Sequence, residues 1–166
     1  MAVPHPRYPP RLPCREPQRR PMFHRIFRAD TQSVRDTLLG LRQRFAPLLN
    51  EDALARLELA LAEVLNNIGE HGTTGSGDAP KVHICVVRQG AGLACAVTDD
   101  GLPLPEACLV RSIGGSPMPT TAQGELPEGG FGWFLIHNLT RAICYYRENQ
   151  RNFLAFTIPI TEEEVS

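Results

Sequence analysis

Three short stretches of this 166-residue chain place acids, amides and glycines at spacings that suit chemistry. The first is Glu63–Val64–Leu65–Asn66–Asn67. A carboxylate and an amide four residues apart share one face of a helix, and Glu70 joins them one turn on. Oxygen donors of this kind suit a hard cation such as Mg²⁺, directly or through water. From Leu57 to Ile68 nearly every other position is apolar, so this helix is expected to be buried on more than one side. An unpartnered carboxylate there is costly. Taken alone, the pair reads better as a polar helix edge facing solvent.

The second stretch is Asp99–Asp100–Gly101, at the end of an apolar strand. A carboxylate there can accept from a ligand's donor group, such as the exocyclic amine of adenine. An ordinary Asp-Gly turn is the competing account. The third is Gly129–Gly130–Phe131–Gly132, ahead of an apolar helix. Glycines let backbone N–H groups approach phosphate oxygens, and a helix N-terminus favours an anion. Glycine loops before helices are common, so this signal is weak by itself.

The elements that must position these residues are legible in the hydrophobic pattern. Met22–Arg28 alternates apolar and polar, as a strand does. Asp30, Thr31 or Ser33 can cap a helix running to about Phe45, with Val34, Leu38, Leu41 and Phe45 as its apolar stripe. Pro47 and Asn50 interrupt. A second helix is expected from Glu51 to about Glu70, with Leu54, Leu57, Leu61, Leu65 and Ile68 on one face, ending at Gly72. Lys81–Arg88 and Gly92–Thr98 read as a hairpin. Asp99 to Glu128 holds five prolines and no periodicity, and a loop of that length is usually functional or disordered. A helix from Gly129 to Leu139 follows, in which Trp133 and Phe134 are expected to pack onto the sheet. A closing hairpin, Arg141–Glu148 and Asn152–Ile160, turns around Asn149–Arg151.

The order of these features resembles the GHKL superfamily of ATPases and kinases over roughly Met22 to Ile160. Glu63 and Asn67 are similar to its E-x-x-x-N box, Asp99–Gly101 to its first glycine box and Gly130–Gly132 to its second. The resemblance implies an α+β fold, a two-layer α/β sandwich with helices on one face of a mixed, mainly antiparallel sheet. It implies ATP and Mg²⁺ as cofactors. Glu63 would be the catalytic general base and Asn67 would bind the metal. Asp99 would accept from adenine, Gly101 would pass close to the base, and Gly130, Phe131 and Gly132 would cradle phosphates. The loop from about Leu102 to Glu128 would be an ATP lid.

Within the superfamily the chain is most similar to the small anti-sigma-factor serine/threonine kinases, on its single catalytic domain, its preceding strand and helix, and Glu70–His71–Gly72 after the box. The resemblance then implies phosphorylation of a serine on an anti-anti-sigma (STAS) partner, binding of a sigma factor, and a homodimer. Two departures weigh on phosphoryl transfer. Pro103 stands where the first glycine box normally carries a second glycine. Pro127 and Glu128 precede the second box, where a basic residue would help a γ-phosphate, and Arg111 is the loop's one basic residue. They leave room for a non-catalytic, ATP-dependent binding switch. A histidine-kinase catalytic domain detached from its sensor is a third reading, weakened because His24, the nearest candidate acceptor, lies in a strand-like segment. His71, at a helix end, reads as a capping residue.

Composition bounds the rest. Residues 1–28 carry seven arginines and one acid, and the remainder carries ten basic and seventeen acidic residues. The acidic folded part argues against nucleic acid as a direct partner. Residues 1–21 hold seven prolines and read as a disordered basic tail, 22–160 as the ATP-binding domain and 161–166 as an acidic tail. Met22 is an alternative start. No apolar run approaches the roughly 20 residues that span a bilayer, and no secretory signal is recognisable. Five cysteines without a C-x-x-C pair suggest a reducing cytoplasm. Cys85, Cys95 and Cys144, in apolar runs, are expected to be small core residues.

Overall fold

The computed structural model describes residues 21–72, 77–105, 108 and 131–161. Expectations for the rest of the tails, for Gly129 and Gly130, and for Arg111, Pro127 and Glu128 lie outside the described residues. The elements run β1 (Met22–Arg28), α1 (Thr31–Phe45), α2 (Glu51–His71), β2 (Lys81–Gln89), β3 (Gly92–Asp99), α3 (Phe131–Leu139), β4 (Arg141–Glu148) and β5 (Arg151–Pro159).

Local chemistry sets the boundaries. Asp30 caps α1 by accepting from the Ser33 amide at 2.9 Å and its hydroxyl at 2.6 Å. Those bonds hold the Asp30 carboxyl below its ordinary value. Asn50 does not merely interrupt: it caps α2 by accepting from Ala53 N at 3.0 Å. Gly72 ends α2, donating its N–H to Ile68 O. The β4–β5 turn is Asn149–Gln150, with φ of 48° and 62°, the left-handed pair that matches the twist of a tight hairpin.

The five strands form one sheet in the order β1-β2-β3-β5-β4. Every pairing is antiparallel, so the parallel component expected of a mixed sheet does not occur among the described residues. The reason is topological. β3 and β4 run the same way, but β5 turns back and lies between them.

One face of the sheet carries the core. Val82, Ile84 and Val86 of β2, Leu93, Cys95 and Val97 of β3, and Leu154, Phe156 and Ile158 of β5 are all buried. Helix α2 lies on this face with α1 and α3 packed against it. Leu54, Leu57, Leu61, Val64 and Leu65 are almost wholly shielded from water. This is the burial on several sides that the apolar sequence of α2 implies.

Two expectations about packing are corrected. Cys95 is buried, but Cys85 is half-buried and Cys144 exposed. Strand alternation sends the last two to the uncovered face, where an apolar run does not ensure burial. Trp133 packs inward with Ile136, whereas Phe134, one position round the helix, is exposed.

Candidate nucleotide site

The end of α2, the end of β3, the start of β5 and α3 converge on a cavity of about 290 Å³. Its polar groups come from Asn67, His71, Asp99, Tyr145 and Asn152, and its apolar wall includes Val64, Ile68, Trp133 and Leu154.

Asp99 ends β3 in its inward phase. It is 4% exposed. Burial pushes its carboxyl above the ordinary value, and hydrogen bonds from Asn152 and Gly101 oppose that shift. Both bonds go to Oδ1, from Asn152 Nδ2 at 2.8 Å and from Gly101 N at 2.9 Å. Asp100, one phase later, leaves the cavity and accepts from Lys81 N at 2.7 Å. The alternation of the strand thus separates the two acids into a site residue and a structural one.

Gly101 sits hard against the end of α2. A Cβ there would come within 2.8 Å of Gly72 O and 3.0 Å of Asp99 Oδ1. Leu102 N donates to the same Gly72 carbonyl at 3.1 Å. Glycine at 101 therefore lets the β3 turn dock on α2, which brings Asp99 and Asn67 to one cavity.

Glu63 and Asn67 meet the start of α3. A Cβ on Gly132 would lie 2.5 Å from Glu63 Oε2 and 3.5 Å from Asn67 Nδ2. The glycine thus allows the first turn of α3 to stand directly over the acid–amide pair. Asn67 lines the cavity and Glu63 does not. The Asn67 Nδ2 atom is buried and has no hydrogen-bond partner among the described residues. Glu70 does not join the pair: its side chain is 72% exposed, with His71 Nε2 at 3.9 Å. One more turn of helix carries it out to solvent. His71 stands on the cavity's rim at the end of α2. Gly130 lies outside the described residues, as does the side chain of Phe131.

A family model described as a histidine kinase-like ATPase domain matches residues 27–158. The chain belongs to this family. It is a GHKL domain, and an ATPase domain of this type is an ATP-binding one. No curated protein matches the chain in sequence. Among solved structures it is similar to the RsbU and RsbW domains of Rv1364c from Mycobacterium tuberculosis, with a TM-score of 0.55 and 16% identity. That match covers 84% of this chain and 32% of the other, so the chain spans about a third of its length. It also resembles the catalytic domain of the histidine kinase ThkA (TM-score 0.46, 18% identity, 85% of this chain and 98% of that one). The mycobacterial sensor histidine kinase MprB is a further likeness (0.42, 16%, 82% and 97%). At these identities the likeness to Rv1364c is one of fold. No helix among the described residues is long and apolar enough to cross a membrane.

Sequence reasoning missed Asn152, Tyr145 and Arg147, which bind the Asp99 turn from the far side. Asn152 is 2% exposed and sits among Leu154, Phe156 and Ile158 in the inward phase of β5. An amide in that phase was the available signal, since a buried polar side chain requires partners. Tyr145 and Arg147 gave none, because they lie on β4, an edge strand with little burial contrast.

Proposed function

We propose that the domain is a Mg-ATP-dependent serine/threonine kinase of the anti-sigma type, phosphorylating a serine of an anti-anti-sigma (STAS) partner. In this reading it works as a homodimer that also binds a sigma factor. The observation that carries the chemical part is the seating of Gly132 against Glu63 and Asn67. It sets a helix N-terminus, a carboxylate and a buried amide side by side, next to the cavity that holds Asp99. The partner assignment rests on the sequence around Glu70–His71–Gly72 and on the strand and helix, β1 and α1, that precede Glu63 and Asn67.

The residues fit the groups implied. An unpartnered buried amide atom costs about 1–3 kcal/mol. Half a turn of the Asn67 amide puts its oxygen in that place, where it would hold a hard cation. Mg²⁺ would supply neutralisation of charge on the transferred phosphoryl group. Asp99 would accept from the adenine amine, Gly101 would let the backbone approach the base, and Gly130 and Gly132 would approach the phosphates, with Phe131 between them. Glu63 would orient the serine hydroxyl and take its proton. The serine oxygen bonds to the γ-phosphorus, the bond from that phosphorus to the bridging oxygen breaks, and ADP leaves. Such transfer depends mostly on positioning and electrostatics.

A non-catalytic ATP-dependent switch is the second reading. Pro103 favours it, since it lines the cavity where the family pattern has a glycine N–H. Labelled Mg-ATP mixed with purified protein and a STAS partner separates the two. Label on a partner serine that disappears with Glu63→Ala supports the kinase. Nucleotide binding without transfer supports the switch. Absence of Mg-ATP binding, or binding indifferent to Asn67→Ala and Asp99→Ala, overturns the site.

A further inference from the structure

The residues that follow Asp99 are tied down to an unusual degree. Gly101 N donates to Asp99 Oδ1, Leu102 N to Gly72 O at 3.1 Å, and Leu104 N to Tyr145 Oη at 3.0 Å. Pro103 has no N–H, so every amide donor of 101–104 is used. The carbonyls are held too. Arg147 Nη1 donates to Gly101 O at 2.9 Å, and Asn152 Nδ2 donates to Leu102 O at 2.8 Å. The three side chains that do this are joined to one another. Tyr145 Oη donates to Asn152 Oδ1 at 2.8 Å, and Arg147 Nη1 donates to the same oxygen.

The bond directions are consistent throughout. Tyr145 accepts from Leu104, so its one proton goes to Asn152. Arginine can only donate. Asn152 Oδ1 therefore receives two donors, and its Nδ2 is turned to Leu102 O and Asp99 Oδ1. Leu102, Pro103, Leu104 and Pro105 all line the cavity.

We infer that Tyr145, Arg147 and Asn152 form a clamp that presets the 101–104 backbone as a wall of the base pocket, so that adenine is recognised by a site already formed before any phosphate is bound. The inference rests on the cavity being the adenine site. Arg147 is a positioning residue in it, reaching the ligand only through the backbone and Asn152, whereas Tyr145 both holds Leu104 N and lines the cavity. A proline at 103 is then tolerated because side chains from β4 and β5 hold the segment that a glycine contact would otherwise engage. Preorganisation raises affinity by removing ordering costs from the binding step.

The test compares adenosine, ADP and Mg-ATP by calorimetry or NMR titration on the full chain. The wild type is expected to bind all three, adenosine included. Arg147→Met and Tyr145→Phe each remove two hydrogen bonds to the clamp and should each weaken all three ligands by the same factor, about threefold to thirtyfold. Arg147→Lys, which keeps a donor, should recover most of the loss. The double variant should lose less than the product of the two singles, because both hold one segment. Thermal melts establish that each variant is folded at the titration temperature. A loss that grows with phosphate number, or a wild type that binds ATP but no adenosine at millimolar concentration, overturns the clamp and leaves the nucleotide site intact. A wild type that binds none of the three overturns the site reading as well.

Discussion

Asp99 and Asn152 are direct partners across the β3–β5 ladder, and Asn152 Nδ2 donates to Asp99 Oδ1 at 2.8 Å. One buried strand end thus presents a carboxylate whose inner oxygen is occupied by donors from the protein. The proposed ligand contact falls to the outer oxygen. A carboxyl held this way comes at some expense to the fold, because burial disfavours its charge.

Asp99→Asn separates those two contributions. The substituted amide can keep its oxygen as the acceptor for Asn152 and Gly101 while removing the buried charge. The folded pKa of Asp99 lies above its unfolded value of 3.8, so the folded state holds the proton more tightly. Its contribution to stability therefore falls as pH rises from about 3.8 through the folded value, and the penalty is complete above it. The variant should melt at or above the wild-type temperature at neutral pH, and its advantage should vanish at about pH 3–4. Adenine nucleotide binding should fall at least about tenfold, since the amide offers donors where the exocyclic amine needs an acceptor. A lower Tm at neutral pH would contradict this account of Asp99.

Gly132→Ala should act on chemistry more than on the fold. The new Cβ would stand 2.5 Å from Glu63 Oε2, the mobile end of a side chain that can swing aside. Alanine is also a better helix former than glycine by up to about 1 kcal/mol. The melting temperature should therefore hold within a few degrees. If the domain is the proposed kinase, transfer of labelled phosphate to a STAS serine should drop by about tenfold to a hundredfold as Glu63 is displaced. If transfer persists at the wild-type rate, Glu63 is not the base.

Much of this architecture is written in local patterns. The period-2 runs of β2 and β3 and the 3–4 spacing in α2 locate their elements to within a residue or two, because one covered sheet face and one central helix impose those periods. The neighbourhood of Glu63 and Asn67 was readable only through the order of three weak motifs. What pairs with what was not readable. Glu70 has the spacing of a site residue yet faces water, and Asn152, far beyond Asp99 in the chain, meets it through strand pairing. Contacts made by sheet register leave no periodic trace in a single sequence.

Gly69→Ala tests the packing of α2 on the β1–α1 connection. The added Cβ would meet Ala29 O at 2.6 Å, a backbone atom with little freedom to move. Overpacking of this kind costs about 1–3 kcal/mol and outweighs the gain in helix propensity. The variant should melt several degrees below wild type, with nucleotide affinity at low temperature little changed, since Gly69 does not line the cavity. An unchanged or higher Tm would show that α2 can shift outward at no cost.

Trp133, the chain's one tryptophan, provides a direct report of the cavity. It lines the same space as Asp99, is 7% exposed, and lies 6.2 Å from the His137 ring. A base entering this cavity would displace water and add aromatic surface beside the indole. Mg-ATP should therefore produce a saturable change in its emission and reduce quenching by acrylamide. The change should be missing in Asp99→Asn under the same conditions, and adenosine should reproduce a part of it. An emission spectrum that stays constant while calorimetry records binding would put the base outside this cavity and move the site elsewhere on the α2–α3 face.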